Sequence, residues 1–161
     1  MGLLRQLAEL LEQIDDRQYG AETAAGVSGS IGGHVRHCLD HVASLVAGIG
    51  ARRMSYDGRL RGTSVETRRE AALAEIGRLS RLIGAIPEDG LSHPLDIVAT
   101  LDSGGAEIVA TSSFGRELAF VVSHTIHHFA MIALLLRDTD IAIPPRFGYA
   151  PTTPAPTANA A

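Results

Sequence analysis

Six of the seven histidines of this chain fall in two short windows. Residues 30–42, SIGGHVRHCLDHV, carry His34, His37 and His41, and residues 123–132, SHTIHHFAMI, carry His124, His127 and His128. Both windows are otherwise apolar, so imidazoles stand where a core is being built. A helix turns about 100° per residue, which sets His124 and His128 within roughly 40° of each other and turns His127 away from both. By the same rule His34, His37 and His41 fall within roughly 60°. Two imidazoles one turn apart at the edge of a core have the spacing to hold one metal ion between them, with a third ligand supplied by another helix. Three histidines leave a coordination position open to exchange, which suits a catalytic metal more than a structural one. The competing reading is a set of hydrogen-bonded core histidines, because clustered titratable groups also serve structure. Two clusters on separate helices favour the metal.

Other chemistries lose their central residues. All 14 basic residues are arginine, so the lysine of a phosphate-binding loop and the lysine of Schiff-base catalysis are both missing. Cys38 is the single cysteine, which rules out an internal disulfide and a cysteine-based zinc knuckle. It falls on the apolar stripe of its helix, as a small buried side chain would. A net charge of −4 gives no general pull toward nucleic acid. The segment YDGRLR places Arg59 and Arg61 near Tyr56 and Asp57, where they could grip a substrate carboxylate or phosphate. Pairing with carboxylates such as Glu66 and Glu70 is the more ordinary use of such a loop.

The elements that must position the histidines follow from hydrophobic periodicity. At 161 residues, 45% apolar and 20% charged, the chain has the composition of one globular domain. Leu3, Leu7, Leu10, Leu11 and Ile14 predict a first helix over about 2–18, amphipathic and unlike a secretory signal. Ser28 or Ser30 could cap a second helix reaching about Ile49, with Ile31, Val35, Cys38, Val42, Leu45 and Ile49 as its stripe. After an arginine-rich loop, Thr63 and Glu66 have capping-box spacing at the start of a third helix that runs to about Ile86. Two short strands around DSGG come next, then a fourth helix from Ser113 to Arg137. The longest apolar run, around MIALLLR, is too short to cross a bilayer, so no membrane contact and a cytoplasmic location are expected. The expected fold is all-α: a four-helix bundle over residues 1–149 with a small β-hairpin between helices 3 and 4. Residues 150–161 form a Pro/Ala/Thr-rich tail whose composition predicts disorder.

The order of GHVRHCLD on an early helix and HTIHH on the fourth resembles the DinB-like, or YfiT-like, superfamily of four-helix-bundle metalloproteins, over nearly the whole chain up to the tail. In that family one histidine of the second helix and an H-x-x-x-H pair of the fourth hold a divalent metal. Placed residue by residue, the resemblance implies His37, followed by Asp40 at the family's spacing, with His124 and His128. Periodicity pulls differently, since His37 points further from the apolar stripe than His34 or His41 does. The resemblance also implies a small-molecule substrate, a low-molecular-weight thiol among the candidates, and pairing as a homodimer. Family activities include thiol-dependent transfer; hydrolysis and a non-catalytic metal-sequestering bundle stand beside it. The ion is one that imidazole suits, zinc, nickel or iron. Family thiol transferases often follow the last ligand with Arg-Gly-Gln, where this chain has Phe129, Ala130 and Met131. The second domain of the family's sulfoxide synthases has no counterpart in a chain of this length.

Overall fold

A computed structural model describes residues 2–22, 29–58 and 61–154. In chain order the elements are α1 (Gly2–Leu11), α2 (Asp16–Gly20), α3 (Ile31–Ala51), β1 (Arg53–Ser55), α4 (Ser64–Thr67), α5 (Arg69–Gly84), β2 (Pro94–Thr100), β3 (Glu107–Ser113) and α6 (Phe114–Leu135), with a 3-10 turn at Glu88–Ser92 before β2. The described chain is mostly helical with a small three-stranded sheet. Helix α3 packs on both α5 and α6, and α1 lies against the same two. Leu7, Leu10 and Leu11 of α1, Val35 and Leu45 of α3, Leu79 of α5, and Phe129 and Ile132 of α6 meet between them with no exposed surface. Each such side chain contributes about 1.5–3 kcal/mol on burial.

Local chemistry explains where the helices depart from the expected ranges. The first helix stops at Leu11 because Asp15 starts a new one: its carboxylate accepts from the Gln18 amide at 2.7 Å, and the Gln18 side chain accepts from the Asp15 amide at 2.8 Å. Ser30, not Ser28, caps α3, accepting from the Gly33 amide at 3.0 Å; Ser28 lies outside the described residues. The expected capping box at Thr63 and Glu66 does not form. The Thr63 side chain makes no cap hydrogen bond, and Glu66 instead accepts from the Gly62 amide at 2.7 Å and pairs with Arg36. Close packing of α3 on this segment requires Gly32, where a Cβ atom would stand 2.1 Å from the Glu66 carbonyl oxygen.

The expected hairpin is β2 and β3, antiparallel, with Val98 opposite Val109. An all-α fold with a hairpin needs one amendment: β1, inside the stretch expected to be loop, pairs parallel with β2 from Arg53↔Asp96 to Ser55↔Val98. The sheet is therefore mixed. Its short strand brings the chain from the end of α3 past the start of α6. After α6, Phe147 stacks on Phe129 with centroids 4.1 Å apart, and Gly148 approaches the Ala130 backbone too closely for a Cβ atom. Of the expected tail, residues 150–154 are described, with the Arg146 guanidinium donating to the carbonyls of Ala150 and Thr153; residues 155–161 lie outside the described residues.

Helix α6 is long and apolar enough to cross a bilayer by length and composition, with a mean hydropathy of 1.7 over its most apolar 18 residues. Core helices of water-soluble proteins pass the same test. Here the helix buries a carboxylate, Glu117 at 1% exposure, and turns His124 and His128 toward α3.

Candidate metal centre

The site is built on the antiparallel contact of α3 with α6. His34 pairs with His128 and His41 with His124, an order that runs oppositely along the two helices. The ring of His37 lies between, with centroids 4.9 Å from His124 and 4.5 Å from each of His41 and His128. Five imidazoles thus form one continuous array, from His41 through His37 and His124 to His128 and His34. His127 points outward, exposed, as its angle on the helix predicts.

Periodicity and resemblance disagreed about the second helix, and the packing shows why. From Ile31 to Val42 nearly every residue of α3 is buried, including His34, Arg36, His37 and His41 at 9% exposure or less. A helix covered on nearly all sides has no single stripe from which to measure. All three histidines therefore reach the array.

Two close contacts define its interior. The Nε2 atoms of His37 and His124 stand 2.9 Å apart, as do the Nδ1 atoms of His34 and His128. On one tetrahedral ion at about 2.0–2.1 Å, two imidazole nitrogens sit roughly 3.3 Å apart, so a few tenths of an ångström separate the His37–His124 pair from ligand geometry. Ligand nitrogens of His37, His41 and His124 all lie within 4.8 Å of one another, a group that could hold a metal ion. The donor set is chemically suitable as well. Burial, followed by the neighbouring rings of His124 and His34, pushes the pKa of His128 down to about 3, which keeps that ring neutral and its lone pair available at neutral pH.

A half-open cavity of about 340 Å³ adjoins the array, lined by His34, His37, His128, Arg36, Arg61 and Glu66 among others. Arg36 is nearly buried and pairs with both Asp40 and Glu66, its Nε 3.0 Å from Glu66 Oε2. Glu66 is thereby committed to Arg36, and Arg61 faces the cavity; Arg59 lies outside the described residues. Asp40, matched to the family spacing, orients Arg36. On the other side of the array stands a wall that sequence reasoning did not assemble. Tyr56 stacks on His41 (4.9 Å, 11°) and Phe120 on His124 (5.7 Å, 19°). The Tyr56 hydroxyl donates to the buried carboxylate of Glu117 at 3.1 Å, which also accepts from Ser112 Oγ at 2.6 Å and from Arg116 at 2.8 Å. Burial and then the Glu117 charge raise the pKa of Tyr56, so the phenol stays protonated. The one available signal was the position of Tyr56 in YDGRLR; its partner on α6 is 61 residues away. Cys38 is buried, its pKa pushed up to about 12 by desolvation, and has no part in the array.

The segment 3–132 matches the family model described as the DinB superfamily. FK506-binding protein 5 of Rhizopus delemar is 35% identical over 101 residues, covering 62% of this chain and 26% of that protein. The chain thus spans about a quarter of the length of that relative. With the family match extending from α1 to Ile132, through both histidine windows, the chain belongs to the DinB superfamily.

Proposed function

We propose that this protein binds one divalent metal ion, zinc, nickel or iron, through His37, His124 and His128, and that it is a metal-dependent transferase acting on a small molecule with a low-molecular-weight thiol as co-substrate. The observation that carries the reading is the convergence of imidazoles from α3 and α6, with His37 and His124 nitrogens 2.9 Å apart. In this reading α1, α3, α5 and α6 act as a four-helix bundle, whose facing helices are a recurrent place for metal sites. A bound divalent ion lowers the pKa of a thiol or water beside it and so supplies a nucleophile near neutral pH. The chain's own residues do the rest. The cavity beside His37 and His128 admits the substrate, Arg61 is placed to meet a negative group on it, and Arg36 holds Glu66 and Asp40 out of the way. Phe129 is buried under Phe147, and the polar lining of the cavity beside His128 comes from α3 and residues 61–66. Hydrolysis uses the same open position and is the alternative activity. The proposal extends to a cytoplasmic homodimer without nucleic-acid or membrane partners. The name of the fungal relative supplies no ligand for this chain, since the similar segment is a quarter of that protein.

A non-catalytic reading has its own observation: the histidines already hydrogen-bond to one another and to the His37 carbonyl, as packing residues would. Elemental analysis of the protein purified without chelator separates the two. About one ion per chain, lost in a folded His124→Ala variant, supports the metal site, whereas metal-free protein with full stability sinks it. Turnover of electrophiles with low-molecular-weight thiols by the loaded protein then tests transfer, and steady inactivity of a fully loaded sample would count against it.

A further inference from the structure

His41 belongs to the group of rings that could hold the ion. Its ligand nitrogen lies within 4.8 Å of those of His37 and His124, so a modest inward shift of the rings would bring all three onto one ion. The Nδ1 of His41 is 3.0 Å from the carbonyl oxygen of His37. A carbonyl only accepts, so Nδ1 carries the proton and the lone pair is on Nε2. Ligating histidines almost always show this division, one ring nitrogen donating to a backbone carbonyl or carboxylate and the other binding the metal. The ring is also fixed in place, 4% exposed and stacked between Tyr56 at 4.9 Å and His124 at 4.2 Å. Tyr56 is itself anchored on Glu117, so the clamp on His41 reaches down to the start of α6.

Along the helix axes His41 and His128 flank the His37–His124 pair, each within ring contact of both. The cavity opens on the His128 side, against His34, His37 and His128. The Tyr56 side is walled by Tyr56 and Phe120, whose rings are 5.2 Å apart. From this arrangement we infer that His41 is a fourth imidazole ligand, closing the aromatic-walled side of the metal site, and that a substrate atom approaches from the cavity, raising the coordination number to five. The inference rests on the metal reading proposed above and adds to its three ligands. Zinc sites tolerate such expansion. His34, one ring further out, orients His128 through the Nδ1–Nδ1 contact and is not a ligand.

X-ray absorption on the full chain loaded with zinc or cobalt counts the imidazoles directly and needs no variant. Four are expected in the wild-type protein and three in His41→Phe, a change that keeps an aromatic ring under Tyr56 and so guards against simple misfolding. His41→Phe and His41→Ala should both bind the ion roughly 10²-fold more weakly, the order of one ligand's share of a zinc site, while His34→Ala keeps four imidazoles. Three imidazoles in the wild type, or a count that falls in His34→Ala but not in His41→Phe, overturns the inference and leaves the three-ligand site standing. A wild-type protein that binds no ion at all overturns both.

Discussion

Replacing His124 by alanine is the sharpest test of the site, because that ring touches His37, His41 and His128 at once. Structural zinc sites are worth about 10–16 kcal/mol, so one imidazole of four carries roughly 3 kcal/mol, about two orders of magnitude in Kd. That loss can be read as heat stability. An ion that binds only the folded chain stabilises it by RT ln(1 + [L]/Kd), about 2.7 kcal/mol when its concentration is 100 times Kd. For a chain of this size each kcal/mol raises Tm by roughly 2–4 °C, so the wild type should gain about 5–10 °C. At the same ion concentration the variant sits near its own Kd, gains about 0.4 kcal/mol, and moves by about 1 °C. Losing the ring also removes its stacking on Phe120 and His41, which lowers Tm with or without metal. Measuring each protein with ion and with chelator, and comparing the two differences, cancels that packing cost. If His124→Ala gains as many degrees from the ion as the wild type does, or if neither gains any, the convergence of rings has been misread.

Acid should destabilise the metal-free protein. In the unfolded chain His128 takes up a proton at the ordinary histidine pKa near 6.5, whereas the folded chain resists until about pH 3. Unfolded protein therefore binds the extra proton between those values, and stability should hold above about pH 7 and decline as pH falls below 6.5. Urea melts at several pH values check this, and His128→Asn should flatten the decline. Gly32→Ala should cost more than about 2 kcal/mol in the same melts, since its Cβ would strike the Glu66 carbonyl at 2.1 Å and force α3 away from the 63–67 turn. Cys38 should resist thiol reagents in the native state at pH 8 and react on unfolding, because it is 1% exposed and its pKa is pushed up to about 12. Fast native labelling would show that α3 is less enclosed than it stands here.

What the sequence by itself determined was periodic and local. The 3.6-residue repeat located α3 and α6 almost to the residue, the i, i+4 spacing put His124 and His128 on one face, and the order of the two histidine windows carried the family. Turn chemistry found the β2–β3 hairpin, and the position of Cys38 on a stripe foretold its burial. The tertiary structure decided everything that needed a partner distant in the chain. β1 is three residues long and is held by strand β2, beginning 39 positions after it ends, so no local pattern could mark it. Glu66 left its capping box for Arg36 because α3 passes within van der Waals reach of the 63–67 turn. Which histidines of α3 belong to the site could not be read from an angle, because α3 is buried on nearly every side and its polar face is defined by α6 rather than by water. The wall of Tyr56, Phe120 and Glu117 arises in the same way, where two helices and a strand end meet. Periodicity says which face a residue occupies; only packing says what that face meets.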